Sequence, residues 1–216
     1  MPQLKPIESF GLNRPALESI TGEMLDVTLN AYNEQYGTDY TKENKPEAID
    51  YFISGLILIS LFGWDKADKS KLPKATLDQL ENIFKDPKTG KVEYEGINAT
   101  TQKEFDNAIK NSPDGVITDD QKQKIISSRV KIISESLSTT LFHNINEILA
   151  TNDGLDYVGA ITMGDDLVRP KHQEHNRKYW LRDEYKPWYD FNCRCFYNFG
   201  SKEKLENLGY TRLKGI

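Results

Sequence analysis

The chain is poor in the residues that most often carry chemistry. Among 216 residues there are two cysteines, three histidines and three methionines. Two cysteines cannot build the disulfide framework that holds small secreted domains together. They are Cys193 and Cys195, separated by one residue. A bridge across that gap would be strained, because bridge geometry prefers Cα atoms ~5.5 Å apart. A reduced pair in a cytosolic product is expected. Positive charge is not in excess either. Lys and Arg total 28 against 33 Asp and Glu, for a net charge of -5 and a pI of about 5.4. The average field therefore repels phosphates, which argues against a protein devoted to coating nucleic acid. Long apolar runs are missing as well. Tyr51–Trp64, YFISGLILISLFGW, falls short of the ~20 apolar residues that a membrane helix needs. It is expected to be a buried core helix, with no stable membrane insertion. The opening residues, MPQLKPIESF, contain neither an apolar run nor a small-residue cleavage site, so no secretory signal is expected.

Hydrophobic residues at 38% and aromatics at 11% are enough to build a folded core. Leu17, Ile20, Met24, Leu25 and Leu29 recur at helical spacing behind Pro15. Gly37–Lys45 reads as a connection, and Pro46 sits at the first turn of the apolar helix, where proline is tolerated. Thr76–Phe84 and Gln102–Ile109 read as helices, with an extended piece at Lys91–Tyr94. Asn111-Ser112-Pro113-Asp114-Gly115 invites comparison with a calcium loop. Aligning Gly115 with the required glycine puts Lys110 at the first ligand position, so the segment is a turn. Thr118 and Gln121 then form a capping-box pattern. Behind them Ile126, Val130, Ile133, Leu137, Leu141, Ile145 and Ile148 make one apolar stripe. The stripe predicts a helix of ~30 residues, ~45 Å long, as the spine of the domain. His143 lies off it and is given no role. The helix stops at Asn152-Asp153-Gly154. Tyr157–Thr162 reads as a strand, the next segment as loop, and Phe196–Phe199 as the closing strand. The expected fold is α+β and predominantly helical. A helical region, residues 1–117, precedes a domain at 118–216 made of the long helix and a small α+β module.

Chemistry concentrates between Asp165 and Cys195. Both cysteines and two of the three histidines, His172 and His175, fall there. Thiolate and imidazole are the preferred zinc ligands, usually four in a tetrahedron. His172, Cys193 and Cys195 could supply three ligands, and His175 or Asp165 a fourth. The competing reading is that the thiols pack as small apolar groups and that His172 bonds a carboxylate. A deaminase pattern needs Pro-Cys-x-x-Cys, which this chain lacks, and no catalytic residue is assigned. The aromatics around these residues read as the core of a small module ahead of a base-stacking surface. The basic residues Arg169, Lys171, Arg177, Lys178 and Arg182 are offset by Asp165, Asp166, Glu174, Asp183 and Glu184 and read as a mixed-charge face.

Asp165-Asp166-Leu167-Val168-Arg169-Pro170-Lys171-His172, followed by Asn192-Cys193-Arg194-Cys195, resembles the signature of the phage Mu F-like minor head proteins, the phage head morphogenesis family. That signature runs Asp-x-x-Val-Arg-Pro-x-His, then an aromatic stretch, then Asn-Cys-Arg-Cys. The resemblance spans roughly the last 95 residues, with its specific part at 165–195. It departs at Arg177, where the family commonly has glycine after Asn176, so a different local turn is expected. It departs also at Trp188-Tyr189-Asp190-Phe191, where a proline is usual. The resemblance implies a structural, non-enzymatic virion component made in the host bacterial cytoplasm. Its implied partners are the portal and other capsid proteins, with transient contact to phage DNA and assembly as an oligomer. Its implied task is to assist head assembly and DNA packaging or ejection. Asp165, Arg169, Pro170, His172, Asn192, Cys193 and Cys195 are its signature residues, and Arg169 is expected to pair with Asp165 or Asp166. A metal-dependent nuclease or toxin-like enzyme using the His/Cys cluster is the alternative.

Overall fold

Helices come first along the chain and a small sheet comes last. The computed structural model describes residues 14–86, 89–164, 168–184 and 195–214. Its elements are α1 (Arg14–Tyr36), α2 (Glu47–Phe62), α3 (Lys74–Phe84), α4 (Gly96–Asn111), α5 (Asp119–Asn152), β1 (Tyr157–Ile161), α6 (Pro170–Gln173), β2 (Lys178–Leu181), β3 (Phe196–Gly200), α7 (Lys202–Asn207) and β4 (Thr211–Arg212). The predominantly helical α+β fold expected from the sequence is what the chain adopts. The chain divides into two compact units, Met1–Met24 with Asp50–Ser138, and Leu25–Ile49 with Thr139–Ile216. Helices α1 and α5 contribute to both.

The first unit is built on α2. Phe52, Leu56, Ile57, Ile59 and Leu61 of this helix are all buried. Removing each such side chain from water is worth about 1.5–3 kcal/mol, which explains why so apolar a run folds inward. Among the described residues no helix is long and apolar enough to cross a membrane. Gly55 lets α3 come close: a Cβ there would lie 2.5 Å from the Leu80 side chain. Farther on, α2 ends at Gly63 (φ +85°) and α4 begins at Gly96 (φ +79°). The two backbones touch. A Cβ on Gly96 would sit 2.3 Å from the Gly63 nitrogen, and one on Gly63 would sit 2.5 Å from the Glu95 carbonyl carbon. The Trp64 amide donates to the Tyr94 carbonyl at 2.7 Å beside this crossing. Helix α4 is longer than its apolar pattern suggested, and it meets α5 through Phe105, Ile117 and Ile126. Lys91–Tyr94 contributes only one bridge, Lys85 to Val92.

Helix α5 opens as the sequence predicts. The Gln121 amide donates to the Thr118 hydroxyl at 3.2 Å, and the Thr118 amide donates to the Gln121 side-chain oxygen at 2.8 Å. It ends at Asn152, and Gly154 takes φ +68° just beyond. Its buried arc is wider than the stripe. Ser136, Thr140, His143 and Asn144 are buried beside Leu137, Leu141 and Ile145.

The second unit carries a four-stranded sheet ordered β3-β1-β2-β4. Strand β1 pairs antiparallel with β2 and β3, and β4 pairs parallel with β2. Phe196–Phe199 is therefore not the last strand, because α7 and β4 follow it. The segment expected to be loop also contains β2. In this register Val158 faces Trp180 and Phe199, while Ala160 faces Tyr197. These residues share one face, since cross-strand partners point the same way. The other face is closed by Tyr179, Leu205 and Tyr210. Gly159 makes room there: its Cβ would lie 2.7 Å from the Tyr210 ring. The end of α1 is tied to this unit by the Tyr36 hydroxyl, which accepts the Phe199 amide at 2.9 Å. Tyr32 donates to Asp153 at 2.7 Å, and Tyr40 donates to the same carboxylate.

Gly96→Ala would force a methyl group into the neighbouring backbone and a side chain into a left-handed conformation. The expected loss is at least ~2 kcal/mol in urea unfolding. A change within experimental error would mean that the crossing is looser than its distances imply.

Candidate functional site

The signature segment begins where β1 ends. Val168 is buried. Pro170 occupies the first turn of α6, where its lack of an N–H costs nothing. The Arg169 carbonyl accepts from the amides of His172 and Gln173 at 2.8 and 3.1 Å. This short turn sends His172 inward to 3% exposure. Helix α6 closes at Gln173, before His175, so the two histidines are not successive positions on one helical face. The His175 amide bonds the His172 carbonyl at 3.1 Å, and the His175 ring lies edge-on to Trp180 with centroids 5.5 Å apart.

His172 meets a thiol among the described residues. Its Nδ1 lies 3.4 Å from the Sγ of Cys195, a free cysteine that is 3% exposed. Which group donates follows the imidazole tautomer. Cys195 stands two residues ahead of Tyr197, immediately before β3. The two ends of the signature, 23 residues apart, thus meet in the core.

His143, which the sequence pattern passed over, joins them. It projects from α5, is 4% exposed, and packs edge-on against Tyr197 with centroids 5.3 Å apart. Burial lowers its pKa to about 4, while a hydrogen bond to the Cys195 backbone pulls the other way, as expected when an imidazole N–H donates. The ring is therefore neutral at pH 7. All three histidines of the chain lie against the face of the sheet that carries Tyr197 and Trp180, or against Cys195 itself. A stripe count along α5 could not find His143. The only available signal was that the third histidine of a histidine-poor chain sits on the helix just before the module.

The turn after α6 holds one backbone feature. Arg177 has φ +57°, and it is the one non-glycine residue with a positive φ among those described. Its amide donates to the Ala160 carbonyl at 2.8 Å, and its carbonyl accepts the Thr211 amide at 3.0 Å. Asn176 accepts the Thr162 amide at 3.1 Å through its side chain. Fixed by β1 on one side and β4 on the other, Arg177 adopts a conformation that glycine takes without strain. The backbone at this position is of glycine type, and arginine bears the strain.

Of the other expected site residues, Asp165, Asn192 and Cys193 lie outside the described residues, as does Asp166. The pairing expected between Arg169 and Asp165 or Asp166 lies outside them as well. Among the described residues no group of three or more His, Cys, Asp or Glu side chains is placed to hold a metal ion. The described aromatics behave mainly as core: Tyr179, Trp180, Tyr197 and Phe199 are buried and Phe196 is half exposed. Arg182 and Lys178 reach polar partners on neighbouring segments, Thr151 and Thr211.

No family model, curated protein or solved structure matches this chain.

Arg177→Gly should stabilise the protein by up to about 1 kcal/mol, because the αL penalty of a side chain exceeds the entropy cost of glycine. Arg177→Val, β-branched, should destabilise it. Equal unfolding midpoints for all three would mean that the turn relaxes. In a Cys193→Ser chain, the remaining thiol should resist an aromatic disulfide reagent until urea unfolds the protein, since Cys195 is buried. Rapid labelling of the folded chain would contradict that burial.

Proposed function

We propose that this chain is a minor head protein of a phage or prophage. In this reading it sits in the virion beside the portal and other capsid proteins. There it assists head assembly and DNA packaging or ejection, touching DNA only transiently. The observation that carries the reading is Arg177. The family it resembles commonly has glycine at this place, and the backbone here has the glycine-type φ of +57° despite the substitution. A second point agrees: Val168, His172 and Cys195 are buried, and the exposed Pro170 opens the turn that carries His172, as signature residues that organise a module should. Burial of both His172 and Cys195 also favours an architectural role over a nuclease or toxin-like activity, because a nucleophile or metal-activated water must reach its substrate.

Quantitative mass spectrometry on purified, nuclease-treated particles tests the proposal. The chain should appear at a small fixed ratio to the portal subunit, far below the major capsid protein. Its absence from particles whose portal is readily detected would overturn the virion assignment.

A further inference from the structure

We infer that this chain associates with a second copy of itself. The sheet end carrying Arg177, Met163 and Phe196 in one copy receives the exposed face of α1 carrying Val27, Ala31 and Glu34 in the other. The inference does not rest on the head-protein reading. It starts from Arg177, whose left-handed backbone is held by its committed amide and carbonyl. Glycine would meet that demand at less cost. The arginine side chain is exposed, and among the described residues its guanidinium has neither an ion pair nor a hydrogen bond. Strain kept without a local gain points to use outside the chain, and the group a guanidinium holds best is a planar oxyanion.

The surroundings of Arg177 say which oxyanion. Its amide bonds the Ala160 carbonyl, so it flanks the end of β1. Ile161 closes that strand opposite Phe196, and Met163 follows two residues on. Phe196 is 50% and Met163 53% exposed, so two large apolar groups stand in water at this end of the sheet. Beside them Lys178 donates to the Thr211 hydroxyl at 2.9 Å, and among the described residues no carboxylate pairs with it. Arginine, methionine and aromatic rings are the residues that protein interfaces favour. A phosphate backbone fits this mixture poorly, and 33 acidic against 28 basic residues in the chain repel one. A protein surface with a carboxylate beside apolar side chains fits it well.

The same chain carries such a surface. Val27, Ala31 and Glu34 stand four and three residues apart on α1, so they share one face. All three are exposed, Val27 at 58%. Among the described residues no cation pairs with Glu34. This ridge of apolar groups ending in an acid complements the apolar groups and cations at the sheet end. Every residue of both surfaces belongs to the second unit. Because the two surfaces differ, the contact is head-to-tail, and further copies can add at either side.

Sedimentation velocity on the full chain, from about 1 μM to about 1 mM, tests the inference. The mass should rise above that of the monomer with concentration, with a Kd on the order of 10–100 μM because both surfaces are small. Arg177→Glu and Glu34→Arg should each weaken the association at least ~10-fold by setting like charges together, and the double variant should restore it. Arg177→Gly separates interface from fold. It should raise the urea midpoint and yet weaken the association, which a residue with a purely structural role would not do. Val27→Ser and Met163→Ser should weaken the association without moving the midpoint. A chain that stays monomeric over the whole range would overturn the inference. Association indifferent to both charge reversals, or not restored by the double variant, would do the same. Binding to a fluorescent duplex DNA of about 30 base pairs that Arg177→Glu abolishes, with self-association unchanged, would assign the surface to nucleic acid instead.

Discussion

The second unit is organised around a thiol and an imidazole that meet away from water. A buried polar group left without a partner costs about 1–3 kcal/mol, so an imidazole as deeply buried as that of His172 must be met inside the core. Its 3.4 Å contact with Cys195 links two segments at once. It requires the α6 turn to point inward, which Pro170 and the Arg169 carbonyl arrange. It also requires β3 to begin with its first residues against the same core, which the pairing of Phe196–Gly200 with β1 arranges. His143 and Tyr197 then fill the remaining space from α5 and from the sheet. The aromatic character of this core follows from the same constraint. Polar rings and a thiol leave gaps that large planar side chains such as Trp180 and Tyr197 can close while still meeting a histidine edge-on.

Features with a local cause were visible in the sequence. The capping box at Thr118 and Gln121, the turn after Asn152, the core position of α2 and strand β1 all depend on residues within a few positions of one another. The misses share a different cause. Strand β2 is Lys-Tyr-Trp-Leu with Tyr179 and Trp180 both buried, one on each face of the sheet. A strand covered on both sides shows no alternation, so period-2 reasoning passes over it. Strand β4 is two residues long and exists because β2 offers an edge, and no two-residue pattern announces that.

Helix α5 shows how a correct stripe can understate burial. The stripe assumes that apolar residues mark the whole inward arc. The helix buries more of its circumference than that, and the added positions are polar: Ser136, Thr140, His143 and Asn144. They are tolerated because several bond back along their own helix. Ser136 donates to the Ile132 carbonyl at 2.8 Å, and Asn144 donates to the Thr140 carbonyl at 2.8 Å. Such bonds satisfy a buried side chain without any tertiary partner. A hydropathy pattern therefore left these residues, His143 among them, off the stripe.

The cluster was legible as a concentration of rare residue types, but its geometry was not. His172 and His175, three residues apart, would share a face only on a continuous helix, and α6 is too short to hold both. Spacing also could not say whether His172 would find a carboxylate or a thiol, because that depends on where β3 begins relative to α6. Position in the core, rather than residue type, limits the chemistry. A cysteine beside a histidine on a surface is a candidate nucleophile, while the same pair at 3% exposure is closed to any substrate larger than an ion or a small reagent. Arg177 carries the matching argument for the backbone. Its amide and carbonyl are both committed to neighbouring strands, so the turn must hold a left-handed residue whatever side chain stands there. The constraint lies in the sheet, and the side chain at this position accommodates it.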